Sequence, residues 1–176
     1  MTPLNKAGWR EISPENPYKV LFVCLGNICR SPTAEGTFLH HVKQAGLETC
    51  FVVDSAGLGP WHVGERPHHI TLNVAEKYGV HLPSLGRMIL KADLEKFDLI
   101  LAMDHENYAG IVAKTMKPEL RAKVRMMRDF DPEHPGADVP DPYYGTREDF
   151  ENVFSICNLS SKNLLSELLP HIVKPV

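Results

Sequence analysis

The chain has 176 residues, 43% of them hydrophobic and 23% charged, with a net charge of −3 at pH 7. That length suits one domain with a full core and is short for two. The charge balance excludes a nucleic-acid footprint, and no apolar stretch approaches the ~20 residues of a membrane span.

In chain order, residues 1–17 hold Pro3, Pro14 and Pro17 among scattered charges and lack the apolar core of a signal peptide. They read as an N-terminal extension loosely attached ahead of a domain over residues 18–176. Lys19 to Cys24 reads as the first strand; its apolar run, Val20 to Val23, predicts burial on both faces. A helix is predicted from about Pro32 to Ala45, with Phe38, Leu39 and Val42 as its apolar stripe and Gly46 as its stop. Phe51 to Ala56 is a second strand, and 57–67 a loop rich in Gly and Pro that carries Trp61. His68 to Tyr78 forms a helix closed by Gly79. Phe97 to Met103 is a third strand, His105 to Lys114 a helix and Lys123 to Met127 a weaker fourth strand. A loop with four prolines follows over 129–144. Thr146, with Asp149 three residues later, then caps a long helix bearing Phe150, Val153, Phe154, Cys157, Leu164, Leu165 and Leu168. Strands alternating with helices predict an α/β domain built on a parallel sheet, with any ligand beyond the carboxyl ends of the strands.

Cys24 stands at such an end. It opens the string Cys24-Leu25-Gly26-Asn27-Ile28-Cys29-Arg30-Ser31-Pro32, which joins the first strand to the first helix. Successive backbone N–H groups in a tight curl, together with a helix N-terminus, hold an anion. Gly26 and Asn27 are the residue types that take the left-handed angles such a curl needs. Arg30 can grip two phosphate oxygens with its planar fork. A thiol at the bottom of this bowl is placed to act as the thiolate nucleophile, and Ser31 can donate a hydrogen bond to the sulfur as it leaves. Pro32 suits the first turn of the helix. A lone Cys would more simply be a buried core residue; the full string behind an apolar strand carries the functional reading.

Phosphomonoester chemistry also needs a proton donor for the leaving oxygen and a base for water. Asp141 is the strongest candidate, because Pro140 and Pro142 stiffen the loop around it and Tyr143 and Tyr144 can wall a pocket. Asp138 and Asp129 are rival acids on the same grounds. The four cysteines, Cys24, Cys29, Cys50 and Cys157, fit neither a zinc spacing nor a disulfide framework, and point to a reducing, cytoplasmic setting.

The Cys24–Pro32 string and Asp141-Pro142-Tyr143-Tyr144 together resemble the low-molecular-weight protein tyrosine phosphatase family. Val53-Asp54-Ser55-Ala56-Gly57, Trp61-His62-Val63-Gly64 and Phe97 to Asp104 also match its pattern. The resemblance runs from about Tyr18 to the C-terminus. It implies a single-domain, four-stranded parallel twisted sheet with helices on both faces, and a two-step reaction free of metal or other cofactor. In that reaction Cys24 attacks phosphorus while Asp141 protonates the phenol, and water assisted by Asp141 then releases phosphate. The resemblance also implies that Leu25, Gly26, Asn27, Ile28, Cys29 and Ser31 complete the phosphate-binding loop with Arg30. Ser55 would support Asn27, and Trp61, Tyr143 and Tyr144 would form the substrate rim. Cys29 would form a reversible disulfide that shields Cys24 from over-oxidation. The implied partners are a phosphotyrosine-containing protein or peptide, with phosphate and other oxyanions as competitive inhibitors, and neither nucleic acid nor membrane.

The chain departs from the family pattern at Ser84, where a His is usual, and at Gly86-Arg87-Met88, in place of an Ala-Arg-Gln stretch. His68 and His69 occupy a region where an acidic residue is often found; they read as surface or helix-start residues rather than metal ligands. Three other functions fit this kind of chain less well. An arsenate reductase on the same fold passes its oxidising equivalent through further cysteines, and the stretch from Lys77 to Lys117 has none. A protein arginine phosphatase has a Thr where Ile28 stands. A non-catalytic phosphate-binding module would have no use for Asp141.

Overall fold

The computed structural model describes residues 9–173. The apolar run forms β1 (Tyr18–Cys24), joined in one sheet by β2 (Phe51–Gly57), β3 (Leu99–Ala102) and β4 (Val124–Met126). The order is β2–β1–β3–β4, and every neighbouring pair is parallel. Among the described residues six α-helices accompany it: α1 (Arg30–Gln44), α2 (His69–Lys77), α3 (Lys91–Lys96), α4 (His105–Val112), α5 (Pro118–Arg121) and α6 (Arg147–Leu168).

A central parallel strand has no solvated face, so β1 can be apolar at every interior position. Its residues alternate between two cores. Val20, Phe22 and Cys24 pack with Phe38 and Val42 of α1 and with Val153, Cys157 and Leu164 of α6. Leu21 and Val23 pack with Leu94 of α3, Phe97, Ile111 of α4 and Leu120 of α5. Each such side chain contributes about 1.5–3 kcal/mol by leaving water. A smaller cluster fastens the site: Ile28 and Cys29 of the loop meet Val74 and Ala75 of α2 and Phe150 and Phe154 of α6.

The expected elements form, and the differences lie at their ends. The third strand is shorter than its apolar pattern, because Phe97 instead closes α3, its N–H bonded to the carbonyl of Asp93 at 3.0 Å. Asp98 is taken up as a brace, its carboxylate accepting from the N–H of Lys19 at 2.8 Å. The short helices α3 and α5 have no counterpart in the sequence reading, since one or two turns carry too little periodicity. The cap of α6 is as expected, with Asp149 Oδ2 accepting from the Thr146 N–H at 2.7 Å.

The N-terminal extension needs correction where it is described; residues 1–8 lie outside the described residues. From Trp9 on, the segment is part of the packed domain. Arg10 makes a two-point contact with Asp98, at 3.2 Å from Nε and 2.9 Å from Nη2. Ile12 is fully buried, and its N–H and C=O bond to His171 O and Val173 N, each at 2.9 Å. Trp9 packs against Tyr18, Phe130 and His171. The proline-rich composition suggested a loose tail, but a single buried Ile and a bidentate Arg outweigh it. Ile12→Ala is therefore expected to cost about 2–4 kcal/mol in urea denaturation. An unchanged midpoint would mean that this segment adds nothing to the fold.

Candidate active site

The loop between β1 and α1 sits at the carboxyl edge of the sheet. Asn27 is the one non-glycine residue with positive φ among the described residues, at 57°, and it turns the chain back under the loop. Its N–H lies 3.3 Å from Cys24 Sγ. Its side-chain amide is held on both ends: Nδ2 donates to Ser31 Oγ at 2.8 Å and Ser55 Oγ at 3.0 Å, and Oδ1 accepts from the Arg87 N–H at 3.0 Å. Because Ser31 Oγ accepts from Asn27, its own hydrogen is available to Cys24 Sγ, 3.1 Å away. Cys29, the N-cap of α1, offers no side-chain cap. The first turn of that helix thus has no side-chain cap and can receive an anion.

Gly57 makes this packing possible. It ends β2 directly behind the loop, and a Cβ there would stand 2.9 Å from Leu25 O and 3.0 Å from Asn27 N.

Arg30 is almost fully buried. Its Nη1 donates to Asp104 Oδ2 at 2.6 Å and to Val139 O at 3.0 Å, while Nη2 lies 3.5 Å from Asp141 Oδ2. Burial opposes its charge, but Cys24, the Asp104 hydrogen bond and Asp141 outweigh that and hold the guanidinium above its ordinary range. Asp104 is itself fixed, since its Oδ1 caps α4 by accepting from the Asn107 N–H at 2.7 Å. Asp104 was part of the family string, but its role was not read from sequence. The signal was present: an Asp at the end of a strand adjacent to β1, immediately before a helix.

A cleft of about 420 Å³ opens over the loop and is lined by Cys24, Ile28, Arg30, Trp61, Asp141 and both tyrosines, with Leu25, Gly26, Cys29 and His62. Trp61 is largely exposed; its ring lies over Gly59, where any side chain would strike it. Tyr143 packs edge-on to Tyr144, which is almost wholly exposed. Asp141 Oδ1 accepts from the Tyr143 N–H at 3.2 Å, leaving Oδ2 toward Arg30. The rival acids are engaged elsewhere. Asp138 holds the N–H and ring of His105, and Asp129 accepts from the Met126 N–H.

Cys29 lines the same cleft. Burial pushes its thiol up to about 12, against a hydrogen bond from Thr71, so it is neutral near pH 7. Burial likewise pushes Cys157 of α6 up to about 12. His68 caps α2, its Nδ1 accepting from the Ile70 N–H at 3.2 Å, and its ring stacks on Phe150. Among the described residues no cluster of three or more His, Cys, Asp or Glu is arranged to hold a metal, and no helix is long and apolar enough to cross a membrane.

Sequence reasoning missed the second layer. Ser55 Oγ donates to Glu35 Oε1 at 2.5 Å, and Ser84 Oγ donates to Glu35 Oε2 at 2.6 Å. The departure at Ser84 therefore leaves a continuous network behind the loop, running from Ser84 through Glu35 and Ser55 to Asn27. Glu35 carried no signal, as a lone acid inside a helical pattern reads as a solvated face.

A thiol, a guanidinium and a carboxyl line one cleft at the carboxyl edge of a parallel α/β sheet, an arrangement able to carry out phosphomonoester hydrolysis. A family model described as low molecular weight phosphotyrosine protein phosphatase matches residues 19–172. The low molecular weight phosphotyrosine protein phosphatase of Schizosaccharomyces pombe is 43% identical over 152 residues, 85% of this chain and 96% of that protein. The low molecular weight protein-tyrosine-phosphatase of Streptomyces coelicolor is 39% identical over 151 residues, 85% of this chain and 92% of that protein. The crystal structure of a protein tyrosine phosphatase from Entamoeba histolytica aligns with a TM-score of 0.83 at 34% identity, over 87% of this chain and 97% of that one. The chain belongs to the low molecular weight phosphotyrosine protein phosphatase family.

The Asn27 clamp can be tested by stability alone. Asn27→Ala loses buried hydrogen bonds and, with them, the polar side chain that offsets the strain of a Cβ at positive φ, for an expected cost of about 2–4 kcal/mol in urea denaturation. Asn27→Gly should recover about 1 kcal/mol of this. Equal losses in the two variants would show that the backbone turn at residue 27 contributes nothing.

Proposed function

We propose that the chain hydrolyses phosphotyrosine in proteins or peptides, and small aryl phosphates, through a cysteinyl-phosphate intermediate. The observation that carries this reading is the convergence of Cys24, Arg30 and Asp141 on one cleft. In the first step Cys24 Sγ attacks phosphorus opposite the phenolic oxygen. The P–O bond breaks and the leaving oxygen takes the proton of Asp141. In the second step Asp141 removes a proton from water as the water attacks phosphorus. The P–S bond breaks, and the returning thiolate meets the Ser31 hydroxyl and the Asn27 N–H. Arg30 and the loop N–H groups stabilise the equatorial oxygens in both steps.

The cleft also supports the substrate class. Ile28 gives it an apolar floor, and Trp61, Tyr143 and Tyr144 offer flat walls for an aryl ring. Free phosphate and other oxyanions would occupy the same bowl and compete with substrate. Four free cysteines suit a reducing, cytoplasmic setting.

Hydrolysis of a phosphotyrosine peptide in EDTA tests the reading, with phosphoserine and phosphoarginine substrates alongside. Activity is expected to persist in the chelator, to vanish in Cys24→Ser and to fall by about 10²–10⁴ in Asp141→Ala. Full activity in Cys24→Ser would overturn it. Cys29 supports a redox role for the same loop: peroxide converts Cys24 to a sulfenic acid, and the Cys29 thiol condenses with it to a disulfide, releasing water. Thiol treatment after peroxide should restore the parent and leave Cys29→Ser largely inactive. Equal recovery of both would remove this role.

A further inference from the structure

One buried carboxyl takes no part in the hydrolysis as written. Glu35 lies on α1 with 2% of its surface exposed, and both its oxygens are bonded to hydroxyls rather than to a cation. Ser55 Oγ accepts from Asn27 Nδ2 at 3.0 Å, and the same amide nitrogen reaches Ser31 Oγ, which touches Cys24 Sγ. A continuous chain of hydrogen bonds thus runs from Glu35 to the nucleophile.

Counting hydrogens along it defines two states. Ser55 has one hydroxyl hydrogen and, accepting from Asn27, gives it to Glu35 Oε1. A proton arriving on the carboxyl therefore settles on Oε2. There Ser84, partly open to solvent, can turn its hydroxyl from donor to acceptor. The Ser55 bond and the Asn27 amide stay in place. The loop keeps its shape while the charge behind it changes by one unit.

The surrounding charges set where that change falls. Asp54 of β2 and Arg87 bear on Glu35, and Arg87 is itself tied to Asp54 at 3.0 Å and Asp93 at 2.9 Å. Across the loop stand Cys24 and Arg30. His81, whose carbonyl packs near Gly36 of α1, is exposed. Burial pushes the Glu35 carboxyl up to about 7 against its two serine hydrogen bonds, with Asp54 adding to the rise and Arg87 opposing it.

We propose that Glu35 is a positioning residue whose proton is linked to oxyanion binding in the loop: the neutral acid favours a bound anion and the carboxylate opposes it. This rests on the reading of the loop as an anion site. Linkage makes the effect reciprocal, so a bound anion raises proton occupancy at Glu35. Ionisation of the carboxyl as pH rises through neutrality weakens anion binding, and the coupling is absent when residue 35 cannot ionise.

Sulfate, a dianion throughout this range, is the probe. Calorimetric titration of the full chain and of Glu35→Gln between about pH 6 and pH 8 should show the parent losing about fivefold more affinity than the variant, on the way to the tenfold limit that one pKa unit of coupling sets. Ser84→Lys sets a cation beside the carboxyl, favours its ionised form, and should move the parent's step to lower pH by about one unit. That second variant keeps the test alive if Glu35→Gln does not fold. Parallel pH profiles in parent and Glu35→Gln, or an unmoved step in Ser84→Lys, would overturn the linkage. Failure of the parent to bind sulfate while phosphotyrosine hydrolysis persists would also overturn it and leave the proposed function standing. A Glu35-dependent sulfate profile in a chain that hydrolyses nothing would uphold the linkage and sink only the function.

Discussion

The side-chain amide of Asn27 makes hydrogen bonds toward three parts of the chain: Ser31 on α1, Ser55 on β2 and the backbone of Arg87. Its backbone meanwhile holds the left-handed turn that brings the loop back over Cys24. One residue thereby fixes the distance between the end of a strand, the start of a helix and the neighbouring strand. An anion bowl built from N–H groups works only if those groups are aimed before the anion arrives, because reorienting them would consume the binding energy. The position of Ser31 relative to the sulfur, and the close approach of Gly57 behind the loop, both follow from this clamp.

Arg30 illustrates the same economy with charge. A buried guanidinium is costly unless its donors are satisfied. Here Nη1 is taken by Asp104 and by the carbonyl of Val139. Val139 is in turn tied to the sheet through the carbonyl of Met103 at 2.7 Å. The segment that carries Asp141 is therefore anchored two residues earlier by Arg30. Asp141 and the guanidinium of Arg30 are positioned by one contact, so a disturbance of either is felt by both.

Much of this was legible in the residues. The apolar run of β1, the turn-forming Gly26 and Asn27, and the spacing of Cys24 and Arg30 act locally, and local chemistry is what a sequence displays. Asp141 was legible because two prolines mark it out from other loop acids. Glu35, Ser84 and Asp104 were not, since each acquires its role from a partner far along the chain: Ser84 meets Glu35 only after α1 and the segment before α3 have packed together. The N-terminal segment misled for the same reason. Its prolines are local signals of looseness, whereas its attachment depends on Asp98 and on the backbone at His171 and Val173.

That attachment has a consequence for how the domain opens. Ile12 is hydrogen-bonded between residues 171 and 173, and Arg10 braces the start of β1 through Asp98, at the pole of the sheet opposite the cleft. The two ends of the described chain form a single seam. Fraying of either end exposes the other, so both belong to one cooperative opening unit. The cleft lies a full strand length away, and β1, buried on both sides, separates the two. The seam that joins the two described ends and the cleft thus stand at opposite ends of β1, with the central strand as the partition between them.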